Sequence, residues 1–336
     1  MRLERLREIL GRAAGKRITV AGDLMLDEFV WGKVGRISPE APVPVVEVTG
    51  ESFYPGGAAN VARNLREFTE SVSVIGTVGT DAGARQLLAL LCEQKIDTSL
   101  VLQDPSFRTI VKTRIVARHQ QVVRVDREQI REPSAQQVVQ VAASLREILP
   151  KLDAVIFEDY GKGFLSLDLV RQLSSDINAA GKIATADPNP RQAIDWQKIT
   201  AVKPNRNEAL MAAGLPPADP IDPPMDDGSL LAAGRKLLAA WDTQMLLITL
   251  GEQGMMLFER GKAPHHIPTK ARQVFDVSGA GDTAIALFTL ALCCDAAPVE
   301  AAEIANHASA VVVAKLGTAT VTPEELIASF EDEDVA

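Results

Sequence analysis

Short runs of aliphatic and β-branched residues alternate with helical patterns along most of this chain, and that alternation limits the fold more than any other feature. The runs "RITVAG" (17–22), "SVSVIGTV" (71–78), "DAVIFED" (153–159), "KIATAD" (182–187), "AVKPN" (201–205) and "MLLITL" (245–250) are mostly apolar at both parities and stop near Gly, Asp or Asn. Strands covered by helices on both faces of a parallel sheet read this way. Segments 57–68, 81–95, 134–147, 166–180, 206–213 and 228–240 lie among them with helical periodicity. The pattern predicts an α/β fold, a doubly wound three-layer α/β/α sandwich with a mostly parallel central sheet. Ligands in such folds lie at the carboxyl ends of the strands.

Two segments break the alternation. "VPVVEVTGESF" (43–53) and "RTIVKTRIVARHQQVVRVDRE" (108–128) alternate polar and apolar residues without an intervening helix. They read as half-exposed antiparallel strands of a small β-sheet lid. The expected organisation is one domain over 1–330, lid strands inserted at about 29–53 and 107–128, and a frayed acidic tail over 331–336. "MRLERLREIL" reads as an amphipathic helix, not a signal peptide, and the Pro- and Asp-rich 214–228 as a surface loop.

A chain of 336 residues can bury a large core. Its net charge of −9 and pI of about 5.1 argue against nucleic-acid or anionic-membrane partners. An anionic substrate would need a local basic pocket. The three cysteines, Cys92, Cys293 and Cys294, lack a C-x-x-C spacing, so neither a disulfide framework nor a zinc site is indicated. With no apolar run of membrane-spanning length, the expected location is cytoplasmic.

The loop "DVSGAGDT" (276–283) precedes a nearly continuous apolar run. Its "GAGDTA" (279–284) matches G-x-G-x-x-A, the dinucleotide fingerprint, but the chain beyond it is helical in pattern, with no second strand. Glu300 and Glu303, at the spacing of a ribose-binding acid, fall in that helical pattern. A phosphate cradle fits better. Gly279 and Gly281 let backbone N–H groups converge, and the helix start adds unsatisfied donors and a positive dipole end. Asp282 at that place suits a base that takes a proton from a hydroxyl attacking the phosphate. A glycine turn with an Asp N-cap is the plainer alternative. No G-x-x-x-x-G-K-[ST] loop occurs.

"DVSGAGD" resembles the D-T-x-G-A-G-D signature of ribokinase-like (PfkB) sugar kinases, with Val277 in place of threonine. "GDLMLD" (22–27), "PGGAANVARNL" (55–65), "NRNE" (205–208), "TLGEQGM" (249–255) and "ANHASAVVVAKLGT" (305–318) resemble further family motifs, in the family's order. "RISPEAPVPVV", "EDYGKG" (158–163) and "KLGTATVTPEEL" are similar to the members that phosphorylate D-glycero-D-manno-heptose 7-phosphate, in their kinase-only form.

The resemblance implies ATP and Mg²⁺ as cofactors, with a monovalent cation such as K⁺ left open. It makes Asp282 the catalytic base and Gly279, Ala280 and Gly281 the anion hole. Sugar binding would fall to Asp27 or Asp23, with Gly56, Gly57 and Asn60. Glu208 would order Mg²⁺ through water, and Asn205, Thr249, Gly251, Gly254 and Asn306 would face the nucleotide. Asp276 and Ser278 lie at the family's monovalent-cation positions. The substrate phosphate needs cations, and the lid offers Lys112, Arg114, Arg118 and Arg124. Lys112, Arg114 and Arg118 share parity on an alternating strand, which places them on one side. Lys112 and Arg118 are favoured, with Lys162 a further cation and Asp187 a strand-end acid facing the cleft. Apolar lid residues Val43, Val45, Ile110 and Val122 point to a homodimer joined through the lid.

Overall fold

A computed structural model describes residues 1–336 apart from His119, Ala193, Arg272, Gln273, Leu316, Val335 and Ala336, and apart from the side chains of 332–334. The chain opens with helix α1 (Leu3–Gly11), strand β1 (Arg17–Gly22), two long strands β2 (Leu24–Ile37) and β3 (Pro44–Gly57), and helix α2 (Ala58–Arg66). Next come β4 (Ser71–Ile75), β5 (Thr77–Val78), α3 (Ala82–Glu93), β6 (Leu102–Gln103), β7 (Ile110–Ala117) and β8 (Gln120–Arg127). The middle of the chain gives α4 (Ala135–Ile148), β9 (Ala154–Glu158), α5 (Leu167–Ala179), β10 (Ile183–Asp187), β11 (Ala201–Val202), α6 (Arg206–Ala212) and α7 (Gly228–Ala240). The last third supplies β12 (Met245–Thr249), β13 (Met255–Glu259), β14 (His265–Ile267), α8 (Ala280–Cys293), α9 (Pro298–Val313) and α10 (Pro323–Asp334).

Eight strands form the central sheet in the order β14-β13-β12-β11-β10-β9-β1-β4. Every pairing from β12 to β4 is parallel, and β13 and β14 add an antiparallel edge. Each strand feeds two apolar layers. Ile18, Val20, Ile156 and Leu247 pack among α1, α2, α3, α8, α9 and α10, while Ala21, Val155, Phe157 and Ile248 pack among α4, α5, α6 and α7. Burial on both faces is why these strands read as unbroken apolar runs. Helix α8 is buried along nearly its whole length, so it has no polar stripe. The three-layer α/β/α architecture is as the alternation predicts.

The lid is a four-stranded sheet, β3-β2-β7-β8. Its outer pairs are antiparallel, but β2 runs parallel to β7, which corrects the all-antiparallel expectation. Strand β2 starts at Leu24, directly after the central sheet's β1, so the lid grows out of the sheet's carboxyl edge. Three further boundaries differ from the sequence reading. The run 71–78 breaks at Gly76, against which Leu24 packs, and β5 leaves to pair with β6. The strand in 201–205 keeps only Ala201–Val202. The acidic tail is not frayed at its start: α10 runs to Asp334, and only Val335 and Ala336 lie outside the described residues. Among the described residues, no helix is long and apolar enough to cross a membrane.

Candidate active site

The start of α8 faces the carboxyl edge of the sheet. Gly279 is its N-cap in a left-handed conformation, φ 79°, which a residue with a Cβ rarely adopts. Among the described residues, the N–H groups of Gly279, Gly281 and Asp282 have no protein acceptor, whereas Ala280 N–H donates to Val277 O at 3.3 Å. These donors and the helix dipole form an anion-binding end. The Asp282 carboxylate does not cap the helix. Its Oδ2 accepts from Asn60 Nδ2 at 2.7 Å and its Oδ1 from the Tyr160 hydroxyl at 2.8 Å. Burial pushes its carboxyl up, the two donors pull it down, and the balance lies at about 6.

The lid side brings Asp27, Gly56, Gly57 and Asn60 together. Asp27 on β2 is opposite Tyr54 on β3 and Lys112 on β7. A Cβ at Gly56 would stand 2.5 Å from Asp27 Oδ2, so glycine lets the β3 backbone pass against the carboxylate. Arg114 holds Asp27 Oδ1 at 2.5 Å, and the Lys112 ammonium lies 5.3 Å from the centroid of the Tyr160 ring. Burial lowers the Lys112 ammonium below its ordinary value.

Four residues expected at the substrate have surroundings of their own. Asp23 accepts the backbone N–H groups of Tyr160, Lys162 and Phe164, which shapes the 160–164 loop. Arg118 lies beyond the end of β7 in an exposed turn at φ 57°. A register shift between Ile115 and Val116 ends the strict alternation, so parity does not carry Arg118 to the side of Lys112 and Arg114. Arg124 pairs with Asp126 at 2.9 Å. Lys162 is at the cleft but ion-paired with Glu128 at the base of the lid, 2.7 Å away.

At the sheet edge, parallel register sets Gly22, Glu158 and Asp187 side by side at the ends of β1, β9 and β10. Lys203, just after β11, reaches Asp187 Oδ2 at 2.7 Å, and its ammonium would be 3.4 Å from a Cβ at Gly281. Burial disfavours that ammonium, but Asp187 and Glu158 outweigh it and raise its pKa. Burial also raises Asp187 to about 6, partly offset by Lys203, and lifts Glu158 well above the carboxylate range with help from Asp187 and Asp282. One oxygen from each of Glu158, Asp187 and Asp282 lies within 4.8 Å of the others. Against the single Lys203 ammonium, three hard oxygen donors are a set suited to a divalent cation.

A cavity of about 480 Å³ opens beside the helix end, lined by Thr249, Gly251, Gly254, Ala280, Gly281 and Asn306 among others. Asn306 Nδ2 donates to Pro268 O at 2.6 Å, which fixes the cavity wall. Asn205 and Glu208 form a capping box on α6: Asn205 accepts from Glu208 N–H at 2.9 Å, and Glu208 Oε2 accepts from Asn205 N–H at 2.8 Å. Asp276 accepts from Ser278 and Gly317 N–H groups, tying the loop before α8 to the one after α9.

Sequence reasoning passes over Tyr160, Lys203 and Glu158. Lys203 and Glu158 sit inside runs that read as strand, and Tyr160 lies within "EDYGKG", a motif quoted for its resemblance and given a residue role only at its lysine. The signal that could have found them is that polar residues end apolar strands on the side where ligands bind.

The model of the pfkB family carbohydrate kinases matches residues 16–325. "Bifunctional protein HldE" of Desulfatibacillum aliphaticivorans is 41% identical over 95% of this chain, which spans 64% of that relative's length. The protein of the same name from Caulobacter sp. (strain K31) is 42% identical over 94% of the chain and 62% of its own length. Among solved structures, Arabidopsis thaliana ribokinase complexed with ribose and ATP matches with a TM-score of 0.72 and 18% identity over 94% of this chain and 99% of that one. Escherichia coli phosphofructokinase-2 in complex with potassium matches at 0.75 and 18%, over 95% and 99%. The chain belongs to the pfkB family of carbohydrate kinases.

Proposed function

We propose that the protein transfers the γ-phosphoryl group of ATP to the C1 hydroxyl of D-glycero-D-manno-heptose 7-phosphate, giving the 1,7-bisphosphate. The observation that carries the transfer is Asp282, a buried carboxylate with a pKa of about 6 in the first turn of a helix whose leading N–H groups are open. The 22–48 segment, with "RISPEAPVPVV", and "EDYGKG" support the heptose substrate, as does the HldE identity.

In this reading Asp27, Asn60 and the Gly56–Gly57 turn hold sugar hydroxyls, since a carboxylate accepts from two at once. Lys112, over the Tyr160 ring, meets the sugar phosphate together with Lys162. The cavity at Thr249, Gly251, Gly254 and Asn306 takes the nucleotide, beside Asn205. The open N–H groups of Gly279, Gly281 and Asp282 receive the phosphoryl oxygens, and Lys203 lies beside Gly281 as a fixed positive charge. Asp282 accepts the proton of the attacking hydroxyl. The two strand-end carboxylates with Asp282, against one ammonium, fit Mg²⁺, which Asp187 and, through water, Glu208 would hold; the ion supplies neutralisation of phosphate charge. Asp276 and Ser278 are the proposed monovalent-cation positions, K⁺ being the ion to try. Closing the lid over the sugar excludes water. Reaction with ATP and cytoplasmic sugar phosphates sets the proposed location in the cytoplasm.

Replacing Asp282 with Asn keeps the side chain's size and removes the base. Turnover with heptose 7-phosphate is expected to fall at least about a hundredfold while the melting temperature holds. A variant with near-normal turnover contradicts the assignment.

A further inference from the structure

We propose that Glu158 is the direct protein ligand of a hard divalent cation, Mg²⁺ or Mn²⁺, which this chain holds at the end of β9 before any nucleotide arrives. Parallel register places Glu158 between Gly22 and Asp187, so β9 and β10 deliver two carboxylates side by side at the sheet's carboxyl edge. With Asp282 they bring three carboxyl groups within 4.8 Å, against one ammonium at 2.7 Å from Asp187. Ionised together, the three exceed that ammonium by two negative charges, which matches one divalent ion.

The oxygens of this cluster differ in what they already bind. Both Asp282 oxygens accept hydrogen bonds, from Tyr160 and Asn60, and Asp187 Oδ2 accepts from Lys203. Glu158 is 1% exposed, and its Oε2 is buried without a hydrogen-bond partner among the described residues. A buried carboxylate with an unpartnered oxygen, packed beside two other carboxylates, is costly unless a cation meets it. Glu208, the acid that the family resemblance assigns to Mg²⁺, has its Oε2 engaged by the Asn205 N–H. Its place is one water further from the ion. Mg²⁺ typically takes one or two carboxylates and keeps several waters, so Glu158 and Asp187 suffice and leave positions for phosphate oxygens. The proposal rests on the kinase reading only for what the ion does there.

The test is a Mn²⁺ titration of the full-length, nucleotide-free protein, with free Mn²⁺ read by electron paramagnetic resonance. The wild type is expected to show a Mn²⁺ site that Glu158→Gln weakens at least about tenfold, while Glu208→Gln leaves it little changed. Mn²⁺ should raise the melting temperature of the wild type and of Glu208→Gln, but not of Glu158→Gln. Should Glu158→Gln fail to fold, Glu158→Asp keeps the charge, draws it back by one methylene, and is expected to weaken the site as well. Equal Mn²⁺ affinity in wild type and the Glu158 variant overturns the proposal. So does a wild type that binds no Mn²⁺ without nucleotide, or a Glu208→Gln variant that loses as much. A protein that binds Mn²⁺ in this way but phosphorylates no sugar phosphate would sink the kinase reading alone.

Discussion

Asp282 is held between opposing influences, and its chemistry comes from their balance. Burial favours the neutral acid, while the Asn60 amide and the Tyr160 hydroxyl favour the carboxylate, leaving it at about 6. Such a base is ionised at neutral pH yet more basic than an ordinary aspartate. Only the ionised form accepts a proton, so kcat/KM is expected to fall as pH drops through about 6. Tyr160→Phe keeps the ring under Lys112 but removes one donor that favours the carboxylate. The acid limb should then move to higher pH, with lower turnover on that limb. A pH–rate profile that superimposes on the wild type would show that the hydroxyl does not tune the base. Lys203 and Glu158 belong to the same scale. Both are single polar residues within apolar runs, and their meaning depends on which strand ends beside theirs, which one chain of letters does not display.

Among the elements, the β3–α2 turn links the lid to the site most tightly. Gly56→Ala would push a methyl group to within 2.5 Å of Asp27 Oδ2. Overpacking of this kind costs about 1–3 kcal/mol in stability. The expected kinetic result is a raised KM for the sugar phosphate with the KM for ATP unchanged, and equal change in both would contradict the placing of Asp27 on the sugar. The central strands and most helices are legible in the sequence because both-face burial and helical periodicity are local patterns. The α8 loop is legible because its glycines and Asp282 are contiguous. The β13–β14 edge does not read as part of the sheet, since a short antiparallel hairpin beside a parallel sheet has no pattern of its own. Arg118 is misplaced by its parity because a register shift in the β7–β8 pair breaks the alternation that a sequence count assumes. Ile110, expected on the dimer face, is 2% exposed and packed with Met25, Phe107 and Tyr160 at the lid's base.

Across the whole molecule, a net charge of −9 coexists with a cleft that gathers Lys112, Arg114, Lys162 and Lys203. Arg114, Lys162 and Lys203 are each ion-paired with an acid, Asp27, Glu128 and Asp187, so the cleft offers an anionic substrate cations already balanced by carboxylates. The lid leaves the outer strand β8 exposed along all eight residues, with Val122, Val123 and Val125 at 37%, 45% and 40% exposure; Val43 across the sheet is also exposed and Val45 half-buried. An unpaired apolar edge favours pairing with a second copy. We therefore propose a homodimer through the lids: light scattering should give twice 36.1 kDa, and Val123→Lys should return it to the single-chain mass. A wild-type mass of one chain contradicts the pairing. The central claim is a carbohydrate kinase whose acceptor is the C1 hydroxyl of a heptose phosphate, and its most direct test is ATP turnover with D-glycero-D-manno-heptose 7-phosphate, fructose 6-phosphate and ribose side by side. The account predicts a 1,7-bisphosphate product and kcat/KM for the heptose at least about a hundredfold above the other two. Comparable turnover of either competitor, or ATP hydrolysis without a phosphorylated heptose, would contradict it.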